Sequence, residues 1–354
     1  MTRSGSGRAI VLAIIAVVGA GGVRVRTDDP VSSNVRYTGE IVRIFDRRCL
    51  GCHADQGLAM PLTTYGDVRS WGRAIREEII EQRMPPWAAA RGYGRFRNEL
   101  SLSAREMLTL LSWIDGGMPR GDDRELPAAS ANSERPAPDV RVPLPVQRVP
   151  AAVEHVVRHV AIDVDLDPGR PIARVAIAPD ATRVLRGALV FEADAAGAPA
   201  RWLGAWLPWQ HEAAPPAPST FRLPPRARLV VELHYRGAAD DVTDAPAVDI
   251  YYGSRGARPS NQIAVSPGAP VSLPASASVW AIVPSPGESA ASLQVSAREP
   301  DGATSVLLWI PHVSHVWPQV LLPDRPVLLP AGTVLSVNAV PGDRSTRVRL
   351  AVLP

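Results

Sequence analysis

The sequence of 354 residues contains no lysine, only two cysteines and no methionine after Met118. All 38 basic residues are therefore arginines, and against 35 acidic residues they leave a net charge of only +3. A surplus this small, spread along the chain, excludes a typical nucleic-acid-binding protein. Neither a P-loop, nor a G-x-G-x-x-G loop, nor a G-x-S-x-G nucleophile motif occurs. Apolar residues make up 46% of the chain, which excludes wholesale disorder.

The apolar run at the N-terminus is too short to predict a transmembrane helix. Arg3 and Arg8 precede a short apolar stretch at 9–18, and small residues follow at 19–22. This order is typical of a secretory signal peptide, with a retained N-terminal anchor as the alternative. Residues 1–22 are therefore expected to direct the protein to the periplasm, with membrane anchoring if the segment is retained. No disulfide is expected, because the only two cysteines of the sequence belong to one motif at 49–53.

Composition divides the rest of the chain into three regions. Residues 31–125 show helical periodicity, whereas residues 126–150 are rich in proline and alanine and are expected to form an extended, poorly packed linker. Beyond the linker, short apolar stretches alternate with Pro/Gly/Asp turns, which is typical of β-sandwich or jelly-roll domains. A polar break suggests two β-lobes, 151–255 and 256–354. The predicted fold class is multidomain, a small all-α domain followed by two all-β lobes.

Three amphipathic helices are predicted within residues 31–125. Apolar residues at 41–45 lead into the cysteines, and a second apolar stripe runs from Val68 to Ile79 at the spacing of one helix. Ser103 and Glu106 form an S-x-x-E capping box before a third apolar face. The cysteines are thus expected at the end of the first helix.

Both cysteines belong to one motif, Cys-Leu-Gly-Cys-His at 49–53. C-x-x-C-H is the attachment signature of c-type haem, because two thiols on one helical turn can bond to the two vinyl groups of a porphyrin. Cys49 and Cys52 are therefore the candidate attachment residues for one haem c per chain, and His53 is the candidate proximal ligand. A zinc half-site would need further ligands that the region does not supply. A redox C-x-x-C would be expected in a βαβ context, which is absent.

A second axial ligand must come from a residue other than histidine, because His53 is the only histidine among residues 1–154. Methionine is the usual alternative. Met84 is the preferred candidate, since the two prolines that follow it stiffen its loop. Met60 and an open or water-bound position are the alternatives, and Met107 is assigned to a helix core.

Residues 40–122 as a whole resemble a small class I-type cytochrome c domain found in exported bacterial multidomain proteins. The resemblance rests on CLGCH at 49–53, PLTTYGDVRSW at 61–71, RMPPW at 83–87, YGRFRNELSLSARE at 93–106 and WIDGGMPRGD at 113–122. In that group the domain is often followed by a region similar to copper type II ascorbate-dependent monooxygenases, such as peptidylglycine hydroxylating monooxygenase. The resemblance implies two tandem jelly-roll domains after the linker, each of which holds one copper in that family.

The copper ligands of that family have few counterparts here. Leu185 and Arg186 stand where the family has an adjacent histidine pair, and only His234 matches the third ligand of that site. Residues 279–289 replace the H-x-H segment of the second site, and its methionine has no counterpart. Because such a site needs two or three imidazoles, neither copper nor copper monooxygenase activity is expected.

The other histidines are interpreted as scattered solvated residues, with a new metal site as the alternative. His155 and His159 would share one face of a strand, but they would lie too far apart to share one metal ion. The remaining three are His211, in a predicted loop, and the pair His312 and His315.

Together these observations predict an exported monohaem c-type cytochrome that exchanges electrons with an unknown redox partner protein. Its copper-free β region would be a docking or scaffold module, and no catalytic residue and no nucleic-acid partner are predicted. The alternative is an oxidoreductase whose β region binds a substrate and receives electrons from the haem. A haem sensor with an open sixth position is a third interpretation. Among the tryptophans, Trp202 and Trp206 are assigned to the core, and Trp209 is a candidate for exposure.

Overall fold

The computed structural model describes residues 34–127, 136–210 and 213–354. Within these ranges a helical N-terminal unit precedes a larger β-rich region built from several sheets. The order of helical and β-rich parts is the predicted one. The predicted signal or anchor segment, 1–22, lies outside the described residues. In the part of the chain that is described, no helix is both long enough and apolar enough to cross a membrane.

The described part of the helical unit contains five α-helices and two shorter helical turns. The elements are a π-helical turn (Tyr37–Ile41), α1 (Val42–Arg48), α2 (Leu50–His53), α3 (Tyr65–Ser70), α4 (Gly72–Ile80), α5 (Ala104–Asp115) and a 3-10 turn (Asp123–Glu125). Apolar side chains from these elements form one core, and its most deeply buried members include Ile41, Phe45, Val68, Leu110 and Trp113. The helical unit therefore has a hydrophobic core of its own.

The apolar stripe predicted as one helix is divided between two helices in the structure. Ser70 ends α3 and Gly72 begins α4, and Trp71 between them is not helical, with φ −98° and ψ 5°. Val68 and Ile79 are buried as predicted, but 45% of Trp71 is exposed. Because the break changes the direction of the chain at Trp71, this side chain leaves the stripe.

The capping box predicted at Ser103 is present and fixes the start of α5. The Ser103 hydroxyl accepts a hydrogen bond from the Glu106 N–H at 3.1 Å, and the Glu106 carboxylate accepts one from the Ser103 N–H at 2.8 Å. Arg48 at the end of α1 donates two more hydrogen bonds to this carboxylate, both at 3.2 Å. Burial raises the pKa of Glu106, but the hydrogen bonds outweigh burial and hold the pKa at about 2. One carboxylate thus links α5 to α1.

We expect Glu106→Gln to remove an acid-sensitive part of the stability. The folded-state pKa of Glu106 lies below its ordinary value of 4.5, so its stabilisation is present above that value and is lost as the pH falls toward 2. At neutral pH the free energy of unfolding should fall by about 1–2 kcal/mol. Urea titrations of both proteins at neutral pH and at about pH 3 should show this difference shrinking. A difference that stays constant with pH would contradict the role assigned to Glu106.

The first lobe is formed by nine described strands. They are β1 (Val140–Pro143), β2 (Gln147–Val149), β3 (Val156–Asp165), β4 (Ile172–Ala178), β5 (Leu185–Ala193), β6 (Pro199–Trp206), β7 (Arg226–Tyr235), β8 (Val242–Asp244) and β9 (Ala247–Tyr252). The main sheet has the order β3-β7-β5-β6, and two smaller sheets have the orders β1-β9-β4 and β2-β8. Side chains from these sheets share one core, which contains Trp202 and Trp206 as predicted.

The second lobe is formed by eight described strands. They are β10 (Asn261–Val265), β11 (Val271–Ser272), β12 (Ala277–Ser285), β13 (Ser292–Arg298), β14 (Thr304–Ile310), β15 (Val327–Leu329), β16 (Val334–Val340) and β17 (Arg347–Leu353). Two four-stranded sheets, β10-β17-β12-β15 and β11-β16-β13-β14, enclose a second core. Trp280 and Val283 of β12 belong to the core of the first lobe, so the two lobes share an apolar interface.

The predicted linker at 126–150 is shorter in the structure than in the prediction. Strands β1 and β2 lie within it and pair with β9 and β8. Leu144 and Val149 are buried in the core of the first lobe. Because this segment is rich in proline, its sequence does not predict strands, although proline is tolerated where a strand ends or lies at a sheet edge. The prediction of poorly packed chain is therefore wrong for residues 140–149, while residues 128–135 lie outside the described part.

Candidate functional site

The C-x-x-C-H motif lies beside a pocket of the helical unit. Cys49 separates α1 from α2, and Cys52 and His53 belong to the single turn of α2. All three side chains line the pocket, and most of the other lining residues are apolar, including Phe45, Leu62, Ile75, Ile79, Leu100, Leu102 and Leu110. The helical turn therefore brings both thiols and the imidazole to one apolar space.

A backbone hydrogen bond orients the His53 ring. Nδ1 of His53 lies 2.9 Å from the carbonyl oxygen of Met60, and since a carbonyl can only accept, Nδ1 is the donor. Nε2 is then unprotonated, and its lone pair is free to ligate a metal. Burial lowers the pKa of His53, against the opposite effect of the Met60 hydrogen bond, so the ring is neutral at physiological pH. Orientation and protonation both suit an axial ligand.

Neither cysteine has the surroundings of a reactive dithiol. Burial raises the pKa of Cys49 and of Cys52 to about 12. Redox-active C-x-x-C motifs depend instead on a lowered thiol pKa, because the thiolate is the nucleophile. Among the described residues, no set of three His, Cys, Asp or Glu side chains could hold a metal ion. The raised pKa values of both thiols therefore argue against a redox dithiol at this motif.

Two methionines line the pocket and two do not. Met60 and Met84 belong to the lining, whereas Met107 and Met118 pack against the core of the helical unit. The backbone carbonyl of Met60 bonds to the His53 ring, so the Met60 backbone lies beside the imidazole. Met84 enters from a separate segment, the loop that follows α4. The structure therefore brings the predicted sixth ligand, Met84, to the same pocket as His53.

The second lobe holds the loop that carries Met84. Shortly after Met84, the Ala90 N–H donates a hydrogen bond to the Trp309 carbonyl of β14 at 2.7 Å. Ala89 and Phe96 of the same loop are buried in the core of the second lobe. The α4–α5 loop thus belongs to the helical unit in sequence and to the second lobe in packing.

The first lobe covers the cysteine motif itself. A turn at 207–210 places Trp209 in the lining of the pocket, where its Nε1 is buried without a hydrogen-bond partner. A Cβ atom on Gly51 would lie 2.8 Å from the Pro208 carbonyl oxygen and 3.1 Å from Cα of Trp209. Because Cβ atoms do not approach backbone this closely, the contact requires glycine at position 51.

We expect Gly51→Ala to weaken the contact between the helical unit and the first lobe. The added methyl group meets rigid backbone, so the free energy of unfolding should fall by about 1–3 kcal/mol. Gly66→Ala is the matched control, because its Cβ would have the Thr64 hydroxyl at 3.7 Å as its nearest neighbour. An exposed helical Gly→Ala change should be neutral or stabilise by up to about 1 kcal/mol. Thermal melting of both variants tests this expectation, and equal shifts would contradict it.

The residues around the pocket fit a c-type haem. Two thiols can form the covalent bonds, and Nε2 of His53 and the thioether of Met84 can serve as axial ligands. The walls are mostly apolar, with Glu78 and Arg48 as the charged lining residues, and the Arg48 guanidinium is paired with the Glu106 carboxylate. The donor set and the apolar walls agree with the chemistry that the motif predicts.

A second region of interest is a cleft of about 600 Å³ lined by residues of both lobes, named here the inter-lobe cleft. The antiparallel pairing of β3 with β7 sets His159 opposite Glu232. His155, His159 and His234 all lie around Glu232 in this cleft. Nε2 of His155 is 3.3 Å from Nδ1 of His234, and Nε2 of His234 is 2.6 Å from Glu232 Oε1. The prediction of scattered histidines is therefore wrong for these three.

Hydrogen bonds link Glu232, His234 and His155 into one chain of side chains. Burial raises the pKa of Glu232, but hydrogen bonds from His159 and His234 outweigh burial and hold the pKa at about 2. The Glu232 carboxylate can therefore only accept, so His234 donates to it from Nε2. With a neutral His234, Nδ1 of His234 accepts from Nε2 of His155, and Nδ1 of His155 keeps a free lone pair. Burial and the nearby Arg186 guanidinium lower the pKa of His155, so its ring is neutral at neutral pH.

Of the three positions that the resemblance matches to the first copper site, only one holds an imidazole, His234, although strand pairing places Leu185 and Arg186 next to it. Leu185 is fully buried in the core of the first lobe, and Arg186 carries a positive charge. Both ring nitrogens of His234 have hydrogen-bond partners, so neither is free for a metal. Of the remaining histidines, His312 is exposed, His315 also lines the inter-lobe cleft, where its Nε2 lies 3.2 Å from the Ala290 carbonyl oxygen, and His211 lies outside the described residues.

The tertiary structure adds two residues that the sequence analysis did not single out. Trp317 lines the inter-lobe cleft and packs against Trp209, with ring centroids 5.7 Å apart. Gln319 lines the same cleft, is only 5% exposed, and has no hydrogen-bond partner at Oε1. Glu232 and His234 could have been paired from their i, i+2 spacing on a predicted strand. Trp317 and Gln319 have no such local signal, because their neighbours in the fold are remote in sequence.

Comparisons with known proteins assign no family to this chain. No protein-family model matches it, and no curated protein matches it significantly. Its function must therefore be inferred from the pocket around Cys49 and Cys52 and from the inter-lobe cleft.

Proposed function

We propose that the protein is an exported monohaem c-type cytochrome that transfers electrons, with residues 31–125 as a class I-type cytochrome c domain. The observation that carries the proposal is the meeting of Cys49, Cys52, His53 and Met84 at one apolar pocket. One haem c per chain would be attached through the two cysteines, with His53 and Met84 as axial ligands. Bound haem supplies reversible one-electron chemistry. The electrons would be exchanged with a redox partner protein in the periplasm.

The chain's own residues prepare the pocket for that role. The Met60 carbonyl orients His53 and keeps Nε2 unprotonated. The mostly apolar walls, together with a methionine ligand, would favour the reduced state and raise the reduction potential, although Met84 itself is 37% exposed. The bond between Ala90 and β14 limits the motion of the loop that carries Met84. A weak thioether ligand needs such a loop, because a mobile one would exchange it for water.

We assign the β region as a scaffold composed of two copper-free jelly-roll lobes. Two contacts support this role: the second lobe packs around Phe96 of the Met84 loop, and Pro208 and Trp209 of the first lobe cover the cysteine motif. Both contacts bear on residues proposed to hold the haem. The absence of copper is supported by Leu185 and Arg186 in place of histidines and by the occupied nitrogens of His234.

The alternative function is an oxidoreductase whose β region binds a substrate and receives electrons from the haem. One observation favours keeping it: Trp209 in the lining of the pocket contacts Trp317 in the lining of the inter-lobe cleft. A carrier that exchanged electrons only at its surface would have no need of this contact.

The deciding experiment is a joint measurement of cofactors on the full-length protein, produced with a haem-attachment system. We expect about one haem per chain by the pyridine haemochrome assay, an iron content equal to the haem content, and neither copper nor zinc in stoichiometric amounts. Zinc without haem would overturn the cytochrome proposal. Stoichiometric copper beside haem would place the oxidoreductase alternative first.

A further inference from the structure

We infer that the inter-lobe cleft binds an aromatic diol of the catechol or hydroquinone class, and that Trp317 and Trp209 conduct an electron from it to the haem pocket. The inference rests on the proposed haem and adds a site of substrate oxidation to it. Three features of the structure carry it: an aromatic route, a free base, and a buried polar group without a partner.

The aromatic route connects the cleft to the cysteine motif. Trp317 lines the cleft, Trp209 lines the pocket, and their rings are 5.7 Å apart at an interplanar angle of 54°. The π orbitals of two rings in contact couple more strongly than those of aliphatic side chains would. The Arg186 guanidinium lies 5.3 Å from the centroid of the Trp317 ring. This pair of tryptophans is a direct side-chain connection between the two cavities.

The base is His155. With a neutral His234, the chain from Glu232 through His234 leaves Nδ1 of His155 as a free acceptor. A phenolic hydroxyl loses its electron readily only when its proton is taken up at the same time. The cleft therefore offers the two acceptors that the oxidation of such a molecule requires, one for the proton and one for the electron.

Unpartnered polar atoms indicate what the ligand must supply. Gln319 is 5% exposed, and its Oε1 accepts no hydrogen bond, so a ligand with a hydroxyl donor would satisfy it. Arg186 does not line the cleft but lies over the Trp317 ring, and its buried Nε and Nη1 lack partners. An aromatic diol provides one hydroxyl donor for Gln319 and a second for the basic nitrogen of His155, and its face can pack on Trp317.

The proposed step is balanced in protons and electrons. One O–H bond of the bound diol breaks, and its proton moves to Nδ1 of His155. One electron would pass through Trp317 and Trp209 to the haem pocket, where a ferric haem held by Cys49, Cys52, His53 and Met84 would accept it. The diol leaves as a semiquinone radical, and two such radicals form one quinone and one diol. The proposed redox partner protein would take the electron from the haem.

Binding is tested without reference to haem chemistry. Isothermal titration calorimetry of the full chain with 4-methylcatechol, under argon, should give saturable binding at one site. Gln319→Leu and Trp317→Leu should each weaken the affinity by about five- to tenfold, because each removes one polar or aromatic contact. Trp71→Leu is the matched control, since Trp71 is exposed and lines neither cavity. An absence of binding, or equal effects of Trp317→Leu and Trp71→Leu, would overturn the inference.

The electron route is tested by the rate at which 4-methylcatechol reduces the ferric protein in a stopped-flow spectrometer. At saturating catechol, Trp317→Phe should keep much of the rate and Trp317→Leu should lose at least about tenfold, while both reduce at the wild-type rate with dithionite. Rates that are equal for the two substitutions would contradict the aromatic route. If the full chain carries no haem, the proposed cytochrome fails, whereas catechol binding to the cleft is still measured by calorimetry.

Discussion

A protein with Cys49→Ala and Cys52→Ala should retain no covalent haem after denaturation. The two thiols are the free cysteines of the chain, and both line the pocket beside His53. Thioether bonds to the porphyrin vinyl groups need these sulfurs, and no other residue can replace them. A denaturing gel stained for haem peroxidase activity should show a stained band for wild type and none for the double variant.

The single variants are the graded controls for this experiment. Cys49→Ala and Cys52→Ala each leave one thiol, so each should retain part of the stain through one thioether bond. The pyridine haemochrome spectrum should shift toward that of a haem with one saturated vinyl group. A double variant that stains like wild type would mean that the haem, if present, is attached elsewhere, and the proposed role of the motif would be wrong.

The second large effect is expected for Met84→Leu. The substitution keeps the volume of the side chain but removes the thioether, so the sixth position should open to water or remain empty. The weak long-wavelength charge-transfer band of a methionine–ferric haem should disappear. The reduction potential should fall by on the order of 100 mV, because an axial methionine favours the ferrous state. Visible spectroscopy and a redox titration measure both changes.

Met60→Leu is the matched control for Met84→Leu. Both methionines line the pocket, but the hydrogen bond to His53 uses the Met60 backbone carbonyl, which the substitution leaves in place. The band and the potential of Met60→Leu should therefore stay close to those of wild type. If Met60→Leu loses the band and Met84→Leu keeps it, the assignment of the axial ligands is reversed. If wild type has no such band, the interpretation as a sensor with an open position gains support.

Several features of the fold follow from local sequence alone. The capping box of Ser103 and Glu106 was predicted from its S-x-x-E spacing, because both hydrogen bonds are made within one turn. The sequence also predicts the cysteine motif at the end of the first helix, but in the structure α1 ends at Arg48, and Cys52 and His53 belong to the separate turn α2. The burial of Trp202 and Trp206 was also predicted, since an apolar face on a strand must be covered.

Other features depended on partners that are distant in the chain. The proline-rich sequence of strand β1 predicts a linker. The strand forms because it pairs with β9, which lies about 100 residues further along the chain. The division of the α3–α4 stripe at Trp71 was missed, since hydrophobic periodicity does not register a single residue out of helical conformation. In both cases packing against the rest of the protein, and not the local sequence pattern, determines the structure.

The sequence by itself determined the chemistry offered at the helical unit, because two thiols and an imidazole at C-x-x-C-H spacing meet on one helical turn whatever the rest of the chain does. Only the tertiary structure decided what surrounds that chemistry. Strand pairing brought His155 and His234 together around Glu232, and a turn of the first lobe brought Trp209 to the pocket and to Trp317. Such contacts depend on strand register and on the packing of lobes, which are set by the burial of whole sheets and not by the spacing of neighbouring residues.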